Sequence, residues 1–220
     1  LNPALVRNVS TPAKEYLPML SPDNELLFFT RVSQLKAKGD IVTREVEELT
    51  EARRTDVNAD FNAGRALPEP FNVGDNYGGL TISVNNQEMF VTVCSAPDAK
   101  GYRNCDIYRS HYESKFDLDR GGQTFEWAGL ESLGPNINTP DGWESQPSLS
   151  ADGSALYFAT IRPNTDGIDI FESKRDTKGQ WSPARPVKGI NTTGDEKAPF
   201  MHSDSRTLYF AAKPPTDESG

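Results

Sequence analysis

The chain has 220 residues, 35% of them hydrophobic and 10% aromatic, with Lys+Arg 23 against Asp+Glu 32, a net charge of −9 and a pI near 4.8. That balance argues against nucleic acid or an anionic membrane surface as the main partner, since both call for clustered Lys and Arg. No apolar run approaches the roughly 18 residues of a spanning helix, so no transmembrane segment is expected in this chain. The opening LNPALV has neither Met nor a charged stretch followed by an apolar one, so a signal peptide is expected to be removed already or to lie outside the segment.

One pattern occurs four times: EYLPMLSPDNELLFF from Glu15, YGGLTISVNNQEMFV from Tyr77, ESQPSLSADGSALYF from Glu144 and EKAPFMHSDSRTLYF from Glu196. Each copy reads as a short apolar run, a turn and a second run of aromatic and aliphatic residues, which is a β-hairpin. The turn positions Asp23-Asn24, Asn85-Asn86, Asp152-Gly153 and Asp204-Ser205 are mostly residues that tolerate positive φ, as two-residue hairpin turns require. In the third copy Leu156 and Phe158 point one way and Ala155, Tyr157 and Ala159 the other. Both sets are apolar, so the strand is covered on both faces. Ser21, Ser83, Ser150 and His202, where the first strands end, lie 62, 67 and 52 residues apart. That exceeds ankyrin and leucine-rich periods and approaches the roughly 40–50 residues of a four-stranded propeller blade with longer loops. The fold expected is therefore all-β, a fragment of a β-propeller with about three blades and the start of a fourth, each sheet burying its neighbour's middle strands.

In chain order, residues 1–11 are expected to form an outer strand that closes the last blade, because PALVRNVST lines up with Pro183 to Thr192 at the end of blade three. Blade one, 12–75, has strands at Met19–Ser21 and Leu26–Thr30, a third at Asp40–Glu47, and a helical turn at Thr50–Arg54. A long polar excursion containing Pro68 and Pro70 follows on one rim, where binding loops concentrate. Blade two, 76–142, has strands near Thr81–Val84, Met89–Cys94, Cys105–Tyr112 and Phe125–Leu130. Blade three, 143–194, ends in an outer strand near Trp181–Val187, whose prolines suit an edge. Blade four occupies 195–220 and only begins. An Asp opens the third strand in three blades, Asp40, Asp106 and Asp169, and reads as a structural acceptor for backbone N–H groups of a connecting loop.

Cys94 and Cys105 flank the link between the second and third strands of blade two. A disulfide is expected there, with two reduced buried thiols as the alternative, and two ligands are too few for structural zinc. Such a bridge contributes about 2–4 kcal/mol and points to an oxidising compartment. The histidines, His111 and His202, have no catalytic partner in the sequence and read as surface or turn residues. A G-x-S-x-G elbow, a P-loop, H-E-x-x-H and G-x-G-x-x-G are all absent. DLDRGG at Asp117–Gly122 has the opening of a calcium loop without its remaining carboxylates. No catalytic residue, cofactor or metal is therefore expected, although a carboxylate pair of a glycosidase propeller stays open among the acidic residues. Arg31, Trp143 and Arg162 stand at strand ends and form a candidate partner-binding rim, with solvated strand termini or salt bridges as the alternative.

ESQPSLSADGSALYFATIRP, with DGIDIF, GQWSPARPV, INTTGDEKAPF and DSRTLYF, resembles the WD40-like repeats of TolB-type periplasmic propellers. EYLPMLSPDNELLFFTR, FNVGDNYGGLTISVNNQEM and NCDIYRS resemble more closely the propellers of Bacteroidota OmpA-family envelope proteins, one branch of which is the peptidoglycan-anchoring lipoprotein of the type IX secretion and gliding machinery. The resemblance implies a non-catalytic periplasmic scaffold associated with the outer membrane. Its partners would be envelope or secretion-machinery proteins, with peptidoglycan reached only through a domain absent from this chain. The alternative is the propeller of a periplasmic hydrolase, a peptidase or glycosidase.

Overall fold

The computed structural model describes residues 2–36, 43–74, 76–117, 121–163 and 165–213. They form fifteen strands, and no helix occurs among the described residues. Blade one comprises β1 (Glu15–Leu20), β2 (Leu26–Leu35), β3 (Arg44–Arg53) and β4 (Arg65–Ala66). Blade three comprises β10 (Trp143–Leu149), β11 (Ala155–Ile161), β12 (Asp169–Lys174) and β13 (Arg185–Pro186). Blade two comprises β5 (Tyr77–Ile82), β6 (Glu88–Cys94), β7 (Cys105–Asp117), β8 (Gly122–Trp127) and β9 (Glu131–Ser132). The hairpin β14 (Asp195–Met201) and β15 (Leu208–Lys213) opens blade four. All neighbours run antiparallel, as a propeller requires.

The hairpin turns follow the sequence pattern with one change. Each spans four residues, closed by backbone bonds such as Ser21 N–H to Leu26 O at 2.8 Å and Ser150 N–H to Ala155 O at 2.8 Å. Only the last residue of each predicted pair has positive φ: Asn24, Asn86, Gly153 and Ser205. The residue before it does the bonding. Ser21 Oγ donates to Asp23 Oδ1 at 2.5 Å and Ser150 Oγ to Asp152 Oδ1 at 2.6 Å, and both serines accept the N–H that starts the next strand. These hydroxyl bonds hold the Asp23 and Asp152 carboxyls below the usual range.

Three differences from the sequence reading concern third and fourth strands. Thr50–Arg53 belongs to β3 rather than to a helical turn, because β3 pairs residue by residue with β2 from Leu26↔Arg53 to Leu35↔Arg44. Asp40–Val42 lies outside the described residues. In blade one the place of Ile107 and Ile170 is taken by Leu49, which faces Thr30 as Ile107 faces Thr92. The fourth strand of blade two is β9, paired with β7 at Tyr108 and Arg109, and not Phe125–Leu130. The long β7 pairs with β6 up to His111 and then continues past the sheet to pair with β8.

The backbone acceptor expected of the third-strand Asp is supplied by an Asn instead. Asn72, Asn138 and Asn191 each accept the N–H of Leu49, Ile107 or Ile170 through Oδ1 and donate to the same residue's carbonyl through Nδ2, at 2.8–2.9 Å. Asp106 accepts only from Asn104 Nδ2 at 3.4 Å, and Asp169 Oδ1 is buried without a partner.

The core lies between the blades. Phe28, Leu49, Phe71, Tyr77, Met89 and Val91 form one cluster between blades one and two. Phe90, Ile107, Ile137, Leu156, Phe158 and Trp181 form the next, between blades two and three. As expected, β11 is covered on both faces, with Leu156, Phe158, Ala159 and Thr160 fully buried. Residues 2–14 carry no strand, and Val9 packs with Phe29, Ala52 and Phe61.

Candidate functional site

The antiparallel order sets one end of the disc, where inner strands begin and third strands begin, against the end that carries the hairpin turns. Between the two ends the four inner strands β1, β5, β10 and β14 meet around an opening of about 230 Å3. Each is bulged at the same place, between Tyr16 and Met19, Tyr77 and Leu80, Ser145 and Ser148, and Lys197 and Phe200. A β-bulge inserts one unpaired residue and re-aims the side chains beside it. Here the bulge residue is left-handed in every blade: Leu17 at φ 52°, Gly79 at 75°, Gln146 at 57° and Ala198 at 51°. For the three residues with a side chain this conformation costs about 1–3 kcal/mol each. In three blades a proline follows, Pro18, Pro147 and Pro199, so the bulge has no backbone N–H to lose there.

Neighbouring blades hold the bulges in place. Gly79 N–H donates to Thr30 Oγ1 at 3.1 Å, Gln146 N–H to Thr92 Oγ1 at 3.1 Å, and Ala198 N–H to Gln146 Oε1 at 2.6 Å. The φ of 75° at Gly79 favours glycine, and a Cβ there would meet Leu17 Cδ1 at 2.9 Å and press that side chain aside. The opening is lined by apolar groups, Leu17, Met19, Leu80 and Phe200 among them, with Thr81, Gln146 and Ser148 as polar members. Among the described residues its wall holds no carboxylate and no histidine, so the wall itself binds and orients rather than transfers protons.

Carboxylates stand one turn of chain away, at the start of the inner strands. Glu15, Glu144 and Glu196 each accept a hydroxyl and a backbone N–H from one threonine, Thr11, Thr139 and Thr192. The recurrence was visible in the aligned copies, three of which start with Glu, but the partner threonine lies outside them. Blade two has Tyr77 here, whose hydroxyl accepts Gly74 N–H at 3.0 Å. Glu144 is fully buried and also takes Thr160 Oγ1 at 3.1 Å and Arg162 Nη2 at 2.9 Å. Burial holds its carboxyl above the ordinary range against the pull of those donors, and burial likewise draws Arg162 below its ordinary value.

Of the candidate rim residues, Arg31 and Arg162 turn inward. Arg31 bonds Glu15 at 3.1 Å, the carbonyl of Val9 at 2.9 Å and that of Ala63 at 3.2 Å, 5.0 Å above the Phe29 ring. Arg162 bonds Glu144, Thr160 and the Ile137 carbonyl and lies 4.7 Å over Phe171. Trp143 is half-buried opposite Ile161, so it shares a blade with Arg162 while Arg31 stands on another. Cys94 and Cys105 are cross-strand partners and form a disulfide. His111 lies 3.7 Å from Glu113, and His202 Nδ1 accepts Asp204 N–H at 3.3 Å. Backbone N–H groups of Arg206 and Thr207 hold Asp204 down at about 2. Leu118, Asp119 and Arg120 of the calcium-like stretch lie outside the described residues.

The sequence matches no known protein-family model and no curated protein. The structure resembles Trypanosoma rangeli sialidase, solved alone and in complex with the inhibitor DANA, at a TM-score of 0.50 and 12% identity over 91% of this chain and 34% of the sialidase. It is also similar to a thermostable family-43 glycoside hydrolase (TM-score 0.47, 12% identity, 90% of this chain and 65% of that one). A third is an endo-arabinase from Bacteroides thetaiotaomicron (TM-score 0.43, 12% identity, 92% and 75%). The chain spans about a third of the length of the sialidases it matches. At this identity the likeness establishes the propeller fold. The assignment to an OmpA-family or type IX secretion envelope protein is corrected: no sequence family supports it, and the structure resembles a sialidase instead. With it fall the reading as a non-catalytic scaffold and the expectation that the protein is no enzyme.

Proposed function

We propose that this chain is the propeller of a glycan-cleaving protein and that a sugar chain meets it at the axial opening. The observation that carries the reading is the ring of four bulges: three non-glycine residues are kept in a strained conformation around one opening. Strain of this kind persists where a site needs its side chains re-aimed. The wall suits a sugar, with Gln146, Thr81 and Ser148 to bond hydroxyls and Leu17, Leu80 and Phe200 to cover ring C–H faces. The likeness to a sialidase, an enzyme of this fold, supports the choice of reaction class.

Most glycoside hydrolases use a carboxylic acid and a second carboxylate flanking the scissile bond, sialidases having a tyrosine as nucleophile instead. Asp141, in the loop that leads into β10, and Asp195, the first residue of β14, stand at the end of the disc where those two neighbouring inner strands begin. These two are the candidate acid and base, since Glu15, Glu144 and Glu196 each accept two bonds from a threonine, whereas Asp195 accepts one long bond, from Ile168 N–H at 3.3 Å. The test is reducing-sugar release by the intact protein from a panel of sialylated, arabinan and xylan substrates. Turnover that falls at least 100-fold in Asp141→Asn or Asp195→Asn, with KM raised by Phe200→Ala, is the expected result. Absence of turnover on every substrate of the panel would overturn the reading.

A further inference from the structure

Blade two carries a feature that the other described blades lack. Beyond His111, β7 leaves the sheet and pairs with β8 as a separate hairpin, in the register Tyr112↔Trp127, Ser114↔Phe125 and Phe116↔Gln123. Alternation along a strand puts these six residues on one face and Glu113, Lys115, Thr124 and Glu126 on the other. The second face is closed on itself: Lys115 Nζ bonds Glu113 at 3.1 Å and also Glu126. The first face is aromatic and open, with Tyr112 43%, Phe116 64% and Phe125 59% exposed. Trp127 anchors it, edge-on to Phe71 of the core at 6.0 Å and to Tyr112 at 5.1 Å. Tyr112 and Phe125 lie 14° from parallel with centroids 6.0 Å apart.

Tyr112, Phe125 and Trp127 of this face form one wall of a cleft of about 430 Å3 whose other wall is the outer part of blade one, with Arg53, Leu67 and Glu69. The volume lies in the range of about 300–1,000 Å3 typical of small-molecule sites. The other charges around the cleft are paired, Arg65 with Glu51 at 2.9 Å and Glu126 with Lys115. The side chains of Arg53 and Glu69 have no ion pair or hydrogen bond among the described residues, and both are exposed.

We propose that this cleft is a second carbohydrate site, separate from the axial opening, which binds a neutral oligosaccharide by stacking sugar rings on Tyr112 and Phe125 and bonding their hydroxyls to Arg53 and Glu69. The chemistry selects this ligand on two grounds. A saturated sugar ring offers polarised C–H groups to the electron-rich face of an aromatic ring, and two near-parallel rings take two consecutive sugars. A hydroxyl both donates and accepts, so a ligand made of hydroxyls satisfies a free guanidinium and a free carboxylate together. A charged ligand would gain from one and be repelled by the other. A flat protein surface would leave the concave wall at Leu67 unfilled. The choice of a glycan rests on the proposed function, while the site itself is read from the cleft alone.

The experiment is titration of the intact protein with cellohexaose, xylohexaose and arabinohexaose, followed by tryptophan fluorescence, to which Trp127 in the cleft wall contributes, and by calorimetry. At least one probe is expected to saturate and to change that fluorescence. Tyr112→Ala and Phe125→Ala, at exposed positions, should each weaken the affinity about 10-fold, Glu69→Gln about 3-fold, and Val73→Ala not at all. Binding of none of the three probes would overturn the proposal, as would binding unaffected by both aromatic substitutions. So would concentration-dependent dimerisation abolished by Phe125→Ala, which would make the face a contact between copies. Product release is read separately: loss of turnover in Asp141→Asn with cleft binding intact tests only the axial reading, and intact turnover with no cleft binding fails only this one.

Discussion

Blades two and three share one frame and differ in what is added to it. Both have a bulged inner strand, a middle strand buried on both faces, a third strand clasped by an asparagine and a two-residue outer strand. Blade three closes its inner strand with the buried pair Glu144–Arg162, whereas blade two has Tyr77 there. Blade two instead has a disulfide across its second and third strands and a third strand that overruns the sheet into an aromatic hairpin. The frame that the two blades share holds them in the ring, while the aromatic hairpin of blade two adds a face that the frame does not use.

The largest way to test that division is at Glu144. Glu144→Ala leaves Arg162 buried without its carboxylate, and breaking such a pair costs about 3–5 kcal/mol. Tyr77→Phe at the matching place in blade two loses a single hydrogen bond, about 1 kcal/mol. Urea unfolding of the two variants should separate them clearly, and equal losses would show that the buried pair is not what fastens blade three.

Next comes the disulfide. Its place in blade three is filled by Ile161 and Ile168, so only blade two depends on oxidation. Cys94→Ser with Cys105→Ser should lower stability by about 3 kcal/mol, and a reductant should lower wild type by a similar amount and leave the double variant unchanged. A smaller effect is expected at the clasps. Asn138→Ala removes bonds to both Ile107 groups and to Ser132 Oγ in a buried place, about 2–3 kcal/mol, while Asn191→Ala removes the two to Ile170, about 1–2 kcal/mol.

The sequence reveals the frame far better than the additions, for physical reasons. The hairpin pattern is local, so turn residues and the flanking apolar runs expose it four times. Pairing between distant strands is not local. ELTEAR in β3 is made of helix formers and reads as a turn of helix until ten cross-strand pairs with β2 override it. The offset at Asp40 arises because the link between β2 and β3 differs in length among blades, so the recurring Asp-Ile of Asp106 and Asp169 has its counterpart at Glu48-Leu49. Arg162 follows the end of β11, whereas Arg31 stands inside the long β2, and a glutamate of the inner strand draws each inward. The aromatic face needs the register Tyr112↔Trp127, which joins residues on two strands and shows in neither alone. The axial bulges leave a trace, the proline that follows in three copies, and that trace gains meaning only when the strands meet.

The smallest effect separates two equivalent aspartates. Asp169 and Asp106 open the third strands of blades three and two, and burial raises both carboxyls above the ordinary 3.8, with Glu196 and Asp166 adding to the rise at Asp169. Asn104 partly counters it at Asp106, while Asp169 Oδ1 has no partner. A raised folded-state value means that the native protein holds the proton longer than the unfolded chain. Stability therefore falls as pH rises from 3.8 through the raised value and stays lower above it. Asp169→Asn removes that cost, so it should stabilise the protein by about 1 kcal/mol at pH 7 and by nothing once the pH is below 3.8. Asp106→Asn should give the same sign and a smaller gain. Unfolding curves at pH 7 and pH 3.5 decide the matter: a loss at pH 7 in Asp169→Asn would mean that the carboxylate, not the carboxyl, is the form blade three is built to hold.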